Sequence, residues 1–575
     1  MNKNIFYTLL IALLACSCNF LDEEIFSSID GENMYKTAEQ ADLAVAGIYS
    51  NLSSNKGYNR LWQGLTTYGT DEARCYMTGK LNDNFFRVSN FSHTTSDSHI
   101  NNLYSNLFNG IALCNDAANK IGQMEVLEQE KKNALIAEAR FLRGFFYFNL
   151  VQLWGPVRLS TDTPSFGSIM SRDFSRAEVP EVYRQIIEDL SFAEEHLPGK
   201  SERGQTGRAT HIAATGMLAK VYLTIGSGSR FGVDGYEDYN YDDYYALAKE
   251  KAAAVMGNDE GYDLAKYFPE IFDWNNKYNS EIIFDANFAI GGQGNQWPKM
   301  GGAEGTGTYP YYKCGWAGRA YLRPTAYLSL CVFGHDKLSL KADGSISGFK
   351  TSDIRFTQSI ATSSISNNTG RPGTALKANV TNWTAYKFNL RADTHDGYTW
   401  QSTPMNHPIL RYSDILLIYA ESALMLDLGD ISGYEAWNRV RNRAKAEGTD
   451  PDYLRDLTPA SFQDVHAMMD EMLDERMREF CFEGIRRFDL YRTGRFQREY
   501  DRMEERLEAL AAELGNEQFR STILTCDIEY QAIRTNLKPY HNLFPIPQSE
   551  MNIVSSTDYR QNPGWQPSTE TESAE

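Results

Sequence analysis

The chain has 575 residues, with 56 Lys and Arg against 75 Asp and Glu, for a net charge of −19 at neutral pH. No basic block breaks that balance. This excludes a partner gripped through its phosphate backbone, because nucleic-acid binding needs clustered Lys and Arg. The length suffices for a large core and, by itself, for several domains.

The N-terminus sets the compartment. Lys3 supplies a minimal positive n-region, and an apolar stretch then runs from Ile5 to Ala15, interrupted only by Thr8. That run has the length of a signal-peptide core and is too short to span a bilayer. Leu14-Ala15-Cys16-Ser17-Cys18 follows, and a cysteine at the first mature position points to lipidation. Cys16 fits a Leu-Leu-Ala-Cys box, whereas Cys18 leaves the polar start Asn19-Phe20-Leu21-Asp22-Glu23-Glu24. A two- or three-chain lipid anchor holds stably where a single acyl chain is marginal. No other run is long and apolar enough for a transmembrane helix. The remaining cysteines are Cys75, Cys114, Cys314, Cys331, Cys481 and Cys526, with no CxxC among them. Isolated buried thiols are the expectation, with a Cys314–Cys331 disulfide as the alternative for an exported protein.

Helices dominate the body of the chain. Thr37 and Gln40 have the spacing of a capping box, opening a helix whose apolar face carries Ala41, Ala44, Val45, Ile48 and Leu52. Helical stretches are expected over 97–122, 180–197, 209–225 and 241–256. A longer one carries Leu135, Leu142, Phe146, Leu150 and Leu153, stopped by Gly155-Pro156. A second block opens at 409–428 and is ended by Gly429. It continues through Tyr434–Ala446, from 461 toward Cys481, and over 484–493. Helices joined in antiparallel pairs by short turns suggest tetratricopeptide-like repeats, although the strict repeat consensus is missing.

Between the blocks, 286–408 is rich in Gly, Ser, Thr and Asn, and helical period is lost. An irregular insertion this long is either functional or disordered, and its aromatic density argues against disorder. The expected organisation is a signal peptide over 1–17, then one continuous fold over 18–575. Its parts are a helical 18–285, a loop-rich ligand-binding insertion over 286–408 and a helical 409–575. The fold class is therefore mainly α, with helical pairs as scaffold.

Catalytic constellations are not found. The nine histidines are scattered without HExxH, and no GxSxG elbow occurs. Gly226-Ser227-Gly228 follows a helix instead of opening one, so it is no phosphate loop. Asp238-x-Asn240-x-Asp242 begins like a calcium loop, but Asp243 and Lys249 stand at the sixth and twelfth positions, which leaves an acidic turn before a helix. Paired carboxylates for glycoside hydrolysis cannot be picked from 75 acidic residues. No cofactor and no metal are expected. The remaining signal is aromatic: Trp297, Tyr309, Tyr311, Tyr312, Trp316 and Tyr321, interleaved with glycines. Sugars pack flat C–H patches on such rings while their hydroxyls bond polar neighbours, so these six are candidate ligand platforms.

Several segments, in order, resemble the SusD/RagB outer-membrane nutrient-binding lipoproteins of Bacteroidetes. They begin with Cys18-Asn19-Phe20-Leu21-Asp22, which favours Cys18 as the acylated residue. Thr70-Asp71-Glu72, Ala137 through Arg143 and Gly207-Arg208-Ala209-Thr210 follow. Next come Leu410-Arg411-Tyr412-Ser413-Asp414, Tyr419-Ala420-Glu421 and Asn438-x-Val440-Arg441-x-Arg443-Ala444, then Glu475-Arg476-x-Arg478-Glu479 continuing into Phe482-Glu483-Gly484-x-Arg486-Arg487-Phe488-Asp489-Leu490. The last are Leu543 through Glu550 and Gln561-Asn562-Pro563-Gly564. The resemblance implies a helical fold and a SusC-type TonB-dependent transporter as partner. It implies oligosaccharide as the usual cargo, peptide in some relatives, and capture without catalysis. The loop from Arg74 to Ser98, which in relatives can contribute ligand contacts, adds Arg74, Tyr76, Asn84 and Phe85 as secondary candidates. Lys313, Arg319 and Arg323 leave a peptide cargo open. Arg140, Glu421, Arg441, Glu483 and Arg486, all within matched motifs, are expected to form structural ion pairs.

Overall fold

The computed structural model describes residues 34–75, 84–162, 175–204, 207–289, 322–365, 372–388, 403–445, 454–525, 528–553 and 559–565. The first helix, Ala38–Leu52, opens on the expected capping box. The Gln40 amide donates to Thr37 Oγ1 at 3.3 Å, and the Thr37 amide donates to Gln40 Oε1 at 3.1 Å. Helices Ser98–Gln123 and Gln129–Trp154 then form an antiparallel pair. The second ends where Gly155 adopts φ +70°, a left-handed conformation that glycine enters without a Cβ penalty. Every residue from Phe141 to Trp154 is buried, which erases the amphipathic stripe at that end. The cause is packing on two sides, against Ser98–Gln123 and against Val179–His196.

The stack continues through His211–Arg230, Tyr241–Met256, Tyr412–Leu426 and Ile431–Arg443, each packed on the one before. Helix Tyr241–Met256 thus meets Tyr412–Leu426 directly, although residues 257–411 lie between them in sequence. Two local expectations need correction. Gly226-Ser227-Gly228 lies inside His211–Arg230 and does not follow it. A Cβ at Gly226 would stand 3.2 Å from the Tyr245 amide nitrogen, and one at Gly228 would stand 2.6 Å from the Tyr236 ring, so these glycines permit close packing. The helix expected to run to Gly429 stops at Leu426, capped by Asp427 in extended conformation.

Past residue 493 the chain forms further helices, Phe496–Leu514, Glu517–Thr525 and Ile528–Asn536. The first buries Phe496, Tyr500, Met503, Leu507 and Leu510, spaced by fours and threes, a legible stripe that is absent from the expected helices. Strands are short and come in two-stranded antiparallel pairs. In chain order they are β1 Ala73–Cys75, β2 Ile282–Ala286, β3 Leu322–Pro324, β4 Lys337–Leu340, β5 Ile346–Lys350, β6 Ile360–Ala361, β7 Ser363–Ile365, β8 Pro372–Leu376, β9 Thr384–Ala385 and β10 His407–Arg411. The pairs are β1 with β3, β2 with β10, β4 with β5, β6 with β9 and β7 with β8.

The motif residues tie these elements together by charge. Arg140 donates to Asp189 at 2.8 Å, Arg441 to Glu475 at 3.0 Å and Arg492 to Glu421 at 2.7 Å. Arg411 reaches Glu483 with two bonds of 2.9 Å, and Lys387 adds a third at 3.0 Å. Burial alone would raise the carboxylate pKa values. The surrounding cations outweigh it and hold Glu475 and Glu483 below the usual range. Cys114 and Cys481 are buried free thiols, Cys331 is a partly buried one, and Cys75 is buried in β1. Cys314 and Cys526 lie outside the described residues. Among the described residues no helix is long and apolar enough to cross a membrane.

Candidate functional site

Two strand pairs frame the insertion. In the first, Cys75 of β1 faces Leu322 of β3. Residues 76–83 therefore leave β1 beside the point where 290–321 lead into β3. In the second, Ala286 at the end of β2 faces His407 at the start of β10. The chain thus enters the insertion and returns from it at one strand edge. The platform candidates Trp297, Tyr309, Tyr311, Tyr312, Trp316 and Tyr321, together with Tyr76, lie outside the described residues, as does Cys18.

The frame is anchored below β1. Arg486 holds Asp71, and the Asp71 carbonyl accepts from Thr325 Oγ1 at 2.7 Å. The Glu72 carbonyl accepts from the Thr325 amide at 3.1 Å. The Glu72 side chain accepts from the Phe482 amide at 3.3 Å, while its other carboxyl oxygen is buried without a partner. Burial pushes the Glu72 carboxyl up to about 8, with Arg486 opposing and Asp71 adding to the shift. Glu72 therefore carries a proton at neutral pH, which explains how its second oxygen tolerates burial.

Arg74 and Arg323 face each other across β1 and β3. Like charges directly opposite in a strand pair ordinarily destabilise it. Here both guanidinia converge on one acceptor, the Thr381 carbonyl, at 2.6 Å from Arg74 and 2.8 Å from Arg323. Arg323 also reaches Asn382 Oδ1 at 3.2 Å. These side chains, only 7% and 5% exposed, clamp the frame to the turn Val380–Asn382.

The other secondary candidates also have structural partners. Asn84 Nδ2 donates to Ser98 Oγ at 2.5 Å, linking the short helix Asn84–Ser89 to the start of Ser98–Gln123. Phe85 is 1% exposed, its ring 4.4 Å from that of His99 and 5.6 Å from that of Tyr68. A Cβ at Gly64 would sit 2.3 Å from the Phe85 ring, so the helix Leu61–Thr67 carries glycine there. Phe85 is thus a core residue and offers no open face, a placement that aromatic content alone did not reveal.

Other rings stack around His407 of β10. Tyr58 stacks on Trp62 at 4.9 Å and Trp62 on Phe488 at 5.5 Å. Phe388, the last described residue before 389–402, stacks on His407 at 5.5 Å. Burial lowers the His407 pKa to about 4, leaving a neutral imidazole that contacts the Gln63 amide at 2.6 Å. A groove of about 1250 Å³ lies elsewhere, lined by Glu128, Glu138 and Glu260 together with Lys131, Lys200 and Arg203. Among the described residues no group of His, Cys, Asp and Glu is arranged to hold a metal ion.

Comparison with known proteins places this architecture. The family model for starch-binding proteins associating with the outer membrane matches residues 19–223, and the SusD family model matches 280–565. A SusD-like protein of Bacteroides ovatus is 28% identical over 458 residues, covering 76% of this chain and 75% of the relative. The fold matches that of a SusD homolog from Bacteroides thetaiotaomicron, with a TM-score of 0.74 at 24% identity, over 94% of this chain and 100% of that one. It also matches a laminarin-binding SusD-like protein, with a TM-score of 0.63 at 21% identity, over 92% of this chain and 100% of that one. With both family models in chain order and the helical fold shared throughout, the chain belongs to the SusD family.

Proposed function

We propose that this chain is a surface-exposed lipoprotein, anchored in the outer membrane through Cys18, that captures oligosaccharide or polysaccharide without catalysis. It delivers that cargo to a SusC-type TonB-dependent transporter. The observation that carries the reading is the register of β1 and β3. It gathers the exit of 76–83 and the end of the aromatic-rich 290–321 at one edge of a rigid helical scaffold. The description of the matching family model and the laminarin-binding relative support a sugar ligand. A scaffold braced by buried ion pairs, with its aromatic candidates in the insertion, suits capture better than turnover. Anchoring beside a transporter lets even a site of roughly micromolar to millimolar affinity serve.

Affinity electrophoresis of the mature chain against plant, host and microbial polysaccharides tests this, together with an assay for released reducing ends. The expected result is retardation by a polymer, no product, and loss of retardation in Trp297→Ala or Trp316→Ala. Released sugar would make the protein an enzyme, and retardation by no glycan would turn the reading toward peptide cargo.

A further inference from the structure

The C-terminal segment closes a separate pocket of about 620 Å³ against the loop that leads into helix Ser98–Gln123. Its walls follow from local sequence. Asn562 Nδ2 donates to the Trp154 carbonyl at 3.0 Å and the Phe544 carbonyl at 2.9 Å, fixing the turn. Gly564 then takes φ +83°, where a Cβ would stand 2.5 Å from the Tyr540 ring. That close approach brings Trp565 onto Tyr540, with ring centroids 4.8 Å apart, and the indole N–H donates to the carbonyls of Tyr540 and Leu543. Tyr540 and Trp565 stay half-buried on the pocket wall, beside Tyr559. Thr95 and Gln548 add a hydroxyl and an amide. Rings beside polar groups in a cavity of this size suit one or two sugar units.

The charge around this pocket runs against that of the whole chain. Arg560 lines it, exposed, with no ion pair among the described residues. Arg176, which donates to the Arg560 and Pro156 carbonyls and to Asn562, has no carboxylate partner there either. Behind the His93 and His541 rings, Arg487 is 1% exposed. It donates to the His541 carbonyl at 3.1 Å and lies 4.0 Å over the Phe544 ring, with Nε and Nη1 unpartnered. Burial pushes its pKa down to about 9. Two acids among the described residues nearby are already matched, Glu550 by Arg158 at 2.7 Å and Asp97 by Arg87. Arg560 thus stands on the wall of this aromatic pocket without an ion pair among the described residues, with Arg176 bonded to its carbonyl and Arg487 bonded to the His541 carbonyl, in a protein whose net charge is −19.

We infer that this pocket is a second saccharide site, selective for a sugar unit that carries a carboxylate or a sulfate. The rings would take the sugar face, and Arg560 would take the planar or tetrahedral anion through its forked N–H groups. The inference rests on the glycan-capture reading for its ligand class alone, and the two fail separately.

Calorimetry on the full chain would use three probes: digalacturonate, a sulfated galactobiose and neutral galactobiose. At least one anionic probe is expected to bind about tenfold more tightly than galactobiose, a margin typical of one charge-assisted contact. Arg560→Glu is expected to abolish that margin, and Tyr540→Ala to weaken binding of the same probe. Retardation by a neutral polysaccharide should persist in both variants, because that site lies in the insertion. Which anionic probe wins separates carboxylate from sulfate recognition. Equal binding of charged and neutral probes, or an unchanged margin in Arg560→Glu, would overturn the inference. Anionic binding in a protein that no polymer retards would sustain this pocket and sink the insertion site.

Discussion

Arg486 grips Asp71 through two hydrogen bonds, Nε to Oδ1 at 2.8 Å and Nη2 to Oδ2 at 2.5 Å, across 415 positions of sequence. Both side chains are fully buried, and Glu499 approaches the same guanidinium at 3.4 Å. The pair joins Asp71, two positions before β1, to the helix Arg486–Arg492, so it fixes where the candidate frame sits on the scaffold. Removing one partner leaves a buried charge uncompensated, which costs about 3–5 kcal/mol. Asp71→Ala should lower the urea midpoint accordingly. The double variant Asp71→Leu with Arg486→Met should recover much of the loss, because replacing a whole buried pair by apolar groups is often near neutral. A double variant no more stable than Asp71→Ala would contradict this.

Glu72 gives a pH dependence with a defined sign. Its folded pKa is about 8 against an ordinary value of 4.5, so the folded state holds a proton that the unfolded state releases. Its contribution is fully present below pH 4.5 and is lost as pH rises through about 8. Asp285, raised by burial to about 7, acts in the same direction. The buried neutral imidazoles of His93, His407 and His541 act in the opposite direction below about pH 6.5, so stability measured by urea unfolding should fall between about pH 6.5 and 8, where only the two carboxyls still titrate against it. Glu72→Gln should flatten that slope, leaving the part due to Asp285. An unchanged slope would show that Glu72 is ionised in the fold.

Phe85→Ala should cost about 3–5 kcal/mol of stability through the cavity it leaves against Tyr68 and His99. Gly64→Ala should cost roughly 1–3 kcal/mol by overpacking the same contact. Glycan retardation by the folded fraction should be unaltered in both. Loss of retardation without loss of stability would instead place Phe85 in the binding site.

For the insertion, Trp297→Ala and Trp316→Ala should each weaken polysaccharide binding by about 1–3 kcal/mol if their rings make fully buried contacts. The melting temperature is expected to hold in both variants. A drop in melting temperature with intact binding would assign these rings to packing.

Anchoring is tested by metabolic labelling with palmitate. Cys18→Ala should abolish the label and release the protein from the membrane fraction, while Cys16→Ala should retain both. The opposite pattern would move the acylation site to Cys16.

Much of this protein is legible in its sequence, because the controlling interactions are local. A capping box needs only Thr37 and Gln40, and a helix stop needs only a glycine such as Gly155 that can turn left-handed. The stripes of helices such as Ser98–Gln123 follow from three- and four-residue spacing, and even the unexpected Phe496–Leu514 carries one. Partner choice is different, since it depends on which distant segments the packed helices bring together. Nothing near Arg486 in sequence names Asp71, and nothing near Arg74 predicts that Arg323 will share its carbonyl acceptor. Phe85 resembles any loop aromatic in sequence, and only the fold shows Gly64 and His99 enclosing it. Arg176 bonds the carbonyl of Arg560, 384 positions away, and only the folded chain makes them neighbours. The sequence by itself therefore determined most of the long helices and the family. The tertiary structure alone decided which aromatic rings and charges are spent on the core and which remain to meet a ligand, because burial is a property of the assembled surfaces.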